Sequence, residues 1–305
     1  MLLPRLPLSI DTRRVASFDG TEIAYHLTPA PFEGAPVVVL ANGLGGTYLA
    51  WRGQIDYLCD RYQFITWDYR GLYGSNRPTP DVHGAYAIKN QVRDLQAILA
   101  HEHVEQASLV GWSMGVQVAL EAYRTCPKLI QNFILLNGTY GRPLDTLSPL
   151  PGMRVVLPSL VELARRMHSL ATQMTRRATI QPETVGWFKR MGLIGSTLDD
   201  AVFAELVHAF GGLDMEPFFR NLRAIGEHDA LDVLETIQVP TLVITGDRDL
   251  FTPRALAQQM ARMIPSAEIL VVRGGTHYTA VEFPELVNLR IERFFREHGF
   301  DPAPR

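Results

Sequence analysis

Three side chains in this 305-residue chain have the types and settings that covalent acyl chemistry needs. Ser113 is the centre of Gly111-Trp112-Ser113-Met114-Gly115, directly after the apolar run Ala107 to Val110 and before the helix-like stretch Val116 to Tyr123. A serine on a tight strand-to-helix turn sits in strained backbone geometry, so its neighbours in the turn must lack side chains that would clash. Such a turn lifts the hydroxyl clear of a sheet and aims the first N–H groups of a helix at the reaction centre. A serine hydroxyl is a weak nucleophile at neutral pH unless a base takes its proton during attack. His277, in Arg273-Gly274-Gly275-Thr276-His277-Tyr278, is the base whose ordinary pKa suits that task. An imidazole in this role needs a carboxylate to fix its tautomer and balance the imidazolium. The segment Gly246 to Pro253 offers Asp247 and Asp249. We assign the role to Asp249 and leave Asp247 to cap the turn or the helix that follows, where a carboxylate is favoured. Oxyanion charge would be met by the backbone N–H of Met114 and that of Leu44, within Asn42-Gly43-Leu44-Gly45-Gly46. Asn42, Gly43 and Trp112 are expected to contact the substrate.

These groups are far apart in sequence, so a scaffold must bring them together. Arg14 to Phe18 and Thr21 to His26 flank Asp19-Gly20, a strong hairpin signal. Val37 to Ala41, Phe64 to Trp67, the run into Ser113, and Phe133 to Leu136 are continuously apolar, as strands buried on both faces should be. Helical spacing fills the gaps at Trp51 to Tyr62, Tyr86 to Ala100 and Val116 to Tyr123. From Thr139 to Leu231 the strands stop, and helices are expected at Val161 to Met174, Glu183 to Met191, Leu198 to Phe210 and Met215 to Ile225. Alternation resumes with the strands Pro240 to Thr245 and Ala267 to Val272 and the helices Pro253 to Met263 and Glu282 to Glu297. The fold class is therefore α/β, a mostly parallel eight-stranded sheet flanked by helices, with a helical cap inserted between strands six and seven. Residues 1–138 and 232–305 form the core and residues 139–231 the cap. The C-terminal ends of parallel strands share one edge, where ligands bind. Ser113, Asp249 and His277 each follow a different strand at that edge, as does the loop holding Leu44.

Composition removes several function classes. A formal net charge of −3 supplies no basic field, so nucleic acid is not a partner. Cys59 and Cys126 are too few for a disulfide framework, have no metal-ligand spacing, and read as small buried hydrophobes. The start, Met1 to Leu8, is apolar but too short and proline-broken for a signal-peptide core, and no run reaches membrane-span length. We read a cytoplasmic protein. His208 and His228 in the insertion, and His101 and His103 near a helix end, read as structural or solvated.

Taken together, the chain resembles the α/β-hydrolase superfamily, in its capped, esterase-like branch, over residues 15 to 298. The resemblance rests on Asn42-Gly43-Leu44-Gly45-Gly46, the Asp68-Tyr69-Arg70-Gly71 turn, the elbow Gly111 to Gly115, the G-x-x-D-x-x-x-P motif at Gly246 to Pro253, and Gly275-Thr276-His277. In that family the acid is the second Asp of its motif, which maps onto Asp249. A serine at position 113 disfavours the branches that use an Asp nucleophile. Departures are Asn42-Gly43 in place of His-Gly, which resembles the 3-oxoadipate enol-lactonases, Val116 where many members have Gly, and Arg70-Gly71-Leu72-Tyr73-Gly74-Ser75 in place of Arg-Gly-x-Gly. Val116 implies slightly wider spacing of helix and strand.

The expected reaction is hydrolysis of a small carboxylic ester through an acyl-enzyme, with neither metal nor organic cofactor. Two alternatives remain: a lactonase or C–C bond hydrolase with the same triad, and a non-catalytic small-ligand-binding protein. The cap is rich in Leu, Met and Phe, mostly packing residues with a minority free to line an acyl pocket. Its Arg154, Arg165, Arg166, Arg176, Arg177, Lys189 and Arg190 read chiefly as a solvated face, with recognition of an acidic substrate or contact with an anionic membrane surface as the lesser alternatives.

Overall fold

The strands are β1 (Asp11–Ala16), β2 (Glu22–Leu27), β3 (Val37–Ala41), β4 (Gln63–Trp67), β5 (Ala107–Trp112), β6 (Ile130–Leu136), β7 (Thr241–Gly246) and β8 (Ala267–Val272). They form one sheet in the order β1-β2-β4-β3-β5-β6-β7-β8. β1 and β2 are antiparallel to their neighbours and the other pairings are parallel. The computed structural model describes residues 10–141, 153–181 and 183–302, and of residues 153–158 the backbone alone. The apolar start Met1 to Leu8 and the side chain of Arg154 lie outside the described residues.

Strands β3, β5 and β7 are buried along their whole length, so both faces must be covered. On one face pack α2 (Ile88–His101), α3 (Met114–Thr125) and α10 (Arg254–Met263), on the other α1 (Arg52–Leu58) and α12 (Pro284–Glu297). The helix expected at Glu282 to Glu297 is instead α11 (Thr279–Glu282) followed by α12, because Pro284 starts a new helix. Cys59 and Cys126 are half-buried and form no disulfide, and burial pushes the Cys126 thiol up.

Between β6 and β7 the described residues form α4 (Met153–Arg166), α5 (His168–Thr179), α6 (Thr184–Arg190), α7 (Asp200–Gly211), α8 (Met215–Glu227) and α9 (Leu231–Leu234). Asp199 and Asp214 cap α7 and α8, their carboxylates accepting from the first helical N–H groups. The single helix expected over Val161 to Met174 is two, broken at Met167. No Gly or Pro marks the break. It arises from packing, since α4 lies on α8 while α5 divides its contacts between α7 and α8. A bridge between Gly141 and Asp229 and a bond from Ala230 N to Tyr140 O (2.8 Å) pinch the two ends of the insertion together.

Buried polar contacts tie the insertion to the sheet. Asn221 Nδ2 donates to Arg70 O (3.1 Å) and its Oδ1 accepts from Gln91 (2.9 Å), while Gln117 Nε2 donates to Ile225 O (3.2 Å). Arg70 is itself buried, forked onto Asp94 (both bonds 2.6 Å) and bonded to Asp19 (2.5 Å). Burial raises the Asp94 pKa even with that guanidinium opposing it. Among the described residues no helix is long and apolar enough to cross a membrane.

Candidate active site

Strand β5 ends at Trp112 and α3 begins at Met114, leaving Ser113 at φ 56° and ψ −114°. That is the left-handed half of the map, costly for a residue with a Cβ. The flanking glycines make the turn sterically possible: a Cβ on Gly111 would meet Gly115 O at 2.4 Å, and one on Gly115 would meet Ala41 O at 2.0 Å. Val116 follows the second of these glycines. Its branched side chain fills the place left by Gly138, where a Cβ would lie 2.3 Å from Val116 Cγ2.

His277 Nε2 lies 2.9 Å from Ser113 Oγ, and His277 Nδ1 lies 2.9 Å from Asp249 Oδ2 and 3.1 Å from Oδ1. The Asp249 carboxylate is fully buried. Burial alone would raise its pKa; the facing imidazole and the bonds from the Thr252 backbone and hydroxyl outweigh it and hold the carboxyl below its ordinary value. Oδ1 accepts from Phe251 N (2.8 Å) and Thr252 N (2.9 Å), Oδ2 from Thr252 Oγ1 (2.7 Å) and Asn137 Nδ2 (2.8 Å). Asp247 is turned away and accepts from Gly274 N (2.7 Å). The serine, histidine and carboxylate thus form a continuous hydrogen-bonded line.

Met114 N is the first N–H of α3, directly after Ser113, where a helix leaves its N–H groups without an intrahelical acceptor. Leu44 is half-buried in the loop after β3, in a turn closed by Gly46 N to Gly43 O (2.9 Å), with Gly45 at φ +72°. Beside this loop is a cavity of about 150 Å³. Its walls are apolar: Leu44 and Trp112 from the sheet edge, Phe188, Phe203, Leu206, Val207 and Phe210 from the inserted helices. Thr47, Thr179 and Tyr278 supply hydroxyls. Burial, with the Glu282 carboxylate nearby, pushes the Tyr278 phenol up to about 12, so it remains a donor at neutral pH.

Of the residues expected to meet substrate, Trp112 lines this cavity, and its Nε1 also donates to His277 O (2.9 Å). Asn42 and Gly43 do not line it. The Asn42 side chain is consumed by the scaffold, donating to Thr66 Oγ1 (3.1 Å) and Trp67 O (2.9 Å) and accepting from Trp51 Nε1 (2.7 Å). Gly43 is held against the Trp112 ring, which a Cβ would approach to 3.0 Å. The Asn42 amide is engaged by three protein partners, and Gly43 packs on Trp112.

Two residues at the site carry no motif. Asn137, at φ 40° just after β6, links Asp249 to Thr276 O (3.0 Å). Glu282 accepts from Thr276 N (2.7 Å), Thr276 Oγ1 (2.6 Å) and Gly195 N (2.6 Å), tying the histidine loop to the inserted helices. The one sequence signal for Asn137 is its position, a polar residue ending an apolar strand at the edge where the other groups collect. His228, read as structural, lies 3.1 Å from Glu121. Among the described residues no cluster of side chains could hold a metal ion.

Residues 38–289 match the profile described as "Alpha/beta hydrolase family". The chain is 24% identical over 264 residues to "Putative carbamate hydrolase RutD" of Yersinia enterocolitica, covering 87% of this chain and 88% of the other. An esterase from Exiguobacterium antarcticum superposes with a TM-score of 0.74 at 18% identity, over 93% of this chain and 98% of that one. The enol-lactonase from Burkholderia xenovorans LB400 does so with a TM-score of 0.74 at 23% identity, over 93% and 100%. At such identities the structural likeness speaks for the fold. The profile match spans most of the chain and includes the serine turn on the mostly parallel sheet, and on that ground the protein belongs to the α/β-hydrolase family.

Proposed function

We propose that the protein is a serine hydrolase of small carboxylic esters, with residues 139–231 as a cap over the site. Ser113 Oγ attacks the ester carbonyl as His277 Nε2 takes its proton, and Asp249 holds the ring by Nδ1. The N–H groups of Met114 and Leu44 receive the oxyanion. His277 then protonates the leaving alcohol, and water repeats the sequence in reverse to release the acid.

The observation that carries this reading is the Ser113–His277–Asp249 line, with Ser113 in a strained backbone that its own fold maintains. The apolar cavity beside Leu44 supports an acyl or alkyl group as the part recognised. Among the described residues no charged side chain lines it. A lactone carrying carboxylates would bury charge there without a partner, which disfavours the enol-lactonase alternative.

A nitrophenyl ester, a lactone and a carbamate assayed in parallel test the substrate class, and ester turnover is expected to lead. Ser113→Ala should lower turnover on the order of 10⁶-fold, as seen when a serine nucleophile is removed elsewhere. Labelling by a fluorophosphonate should vanish in the same variant. Ester hydrolysis that survives the substitution would refute the reading.

A further inference from the structure

Helices α5 and α6 each have two working faces. Thr179 and Phe188 look inward and line the cavity. The opposite face of the same stretch is apolar and open to solvent. Leu160 and Leu163 on α4, Met167 at the break, and Leu170 and Met174 on α5 recur at alternating steps of three and four. These side chains are about half exposed or more, up to 62% at Met174, and Trp187 on α6 is 51% exposed. A folded chain seldom presents so many large apolar groups over one short stretch without something to cover them.

The charges beside the stripe specify what covers it. Residues 159–191 carry six basic and two acidic side chains, in a chain whose formal net charge is −3. Glu162 is engaged by Arg165 and Arg166, and Lys189 by Asp200. Arg176, Arg177 and Arg190 are exposed and have no ion-pair partner among the described residues. Arg177 stands three residues beyond Met174 and Arg190 three beyond Trp187, each on the margin of the apolar face. A second copy of this chain docked face to face would set these arginines against their own kind. An anionic bilayer offers what both halves of the face need: an acyl boundary for Leu, Met and Trp, and phosphate for guanidinium groups on long apolar stems.

We propose that the outer face of α4 to α6 is a docking surface for an anionic lipid membrane. Docked there, the helices whose inner side lines the cavity form the wall between bilayer and site. The surface itself is independent of the catalytic reading.

The test is co-sedimentation of the full chain with phosphatidylcholine vesicles, with and without phosphatidylglycerol, at low and high salt. Binding is expected only with phosphatidylglycerol, weakening as salt rises. The triple change Arg176→Glu, Arg177→Glu, Arg190→Glu should weaken it roughly thirtyfold or more, from the loss of the two cations at the margin of the apolar face, with Arg176 a third exposed cation on α5. Turnover of a soluble nitrophenyl ester should stay unchanged, which separates lost docking from lost folding. Trp51, Trp67 and Trp112 are buried, so any blue shift of tryptophan emission on vesicles comes from Trp187, and Trp187→Phe should abolish it. Three results would overturn the proposal: no binding to phosphatidylglycerol vesicles, equal binding to neutral vesicles, or a dimer that the triple variant dissociates while vesicles go unbound.

Discussion

Asp247 and Asp249 stand two positions apart after β7, yet one bonds the imidazole and the other a backbone N–H. Asp249→Asn replaces an acceptor that stabilises the imidazolium with an amide that favours the wrong tautomer. Turnover should fall on the order of 10⁴-fold, the size of the loss when a serine-triad aspartate is amidated. Asp247→Asn keeps an acceptor for Gly274 N and should leave turnover within a fewfold; kcat measured for the two variants decides. The same carboxylate leaves a mark on stability. Its folded pKa lies below its ordinary 3.8, so the unfolded chain is the better proton acceptor. The stabilisation it gives is complete above the unfolded value and is lost as pH falls through the folded one. Urea midpoints of the native chain should therefore drop more steeply between about pH 5 and pH 3 than those of Asp249→Asn. Neither Asn137 nor Glu282 was legible as a partner of the site, because each acts through a bond to a residue distant in sequence and belongs to no local pattern.

At the level of elements, the turn at Ser113 is held by an exchange between α3 and the end of β6. Gly138→Ala places a methyl group 2.3 Å from Val116 Cγ2, an overpacking expected to cost about 1–3 kcal/mol or more. Val116→Gly costs stability too, through lost packing and helix propensity. The double variant should be more stable than the two losses summed, because the second change removes the two closest atoms that the first one meets and leaves only Ser113 O at 2.9 Å. Simple additivity in urea titrations would show that the contact is not the limiting one. Val116 was visible in the sequence as a departure, whereas its compensation at Gly138 lies beyond any spacing rule. The break at Met167 has the same origin: local propensity favours one helix from Val161 to Met174, and contacts with α7 and α8 impose two. Asn42 shows the converse, a polar residue in a loop that faces a ligand edge, withdrawn from it by three buried partners.

For the whole molecule, substrate size depends on how the inserted helices meet the sheet edge. A cavity of about 150 Å³ compares with one that holds benzene elsewhere, which suits acyl groups of about four to six carbons. In a series of nitrophenyl esters, kcat/KM should peak in that range and fall for longer chains. Phe210 lines the cavity and packs against Gly45, so Phe210→Ala should move the peak to longer acyl groups; an unmoved peak would place the acyl group elsewhere. The α/β rhythm, the insertion between β6 and β7, and the placing of Ser113, Asp249 and His277 after three different strands were all legible in the sequence. Each follows from local rules: apolar runs form buried strands, and parallel strands deliver their ends to one edge. The supporting bonds of Asn137 and Glu282, the split of α4 from α5 and the volume beside Leu44 were decided only in the tertiary structure. They depend on distances between residues far apart along the chain, which packing sets and no local periodicity encodes.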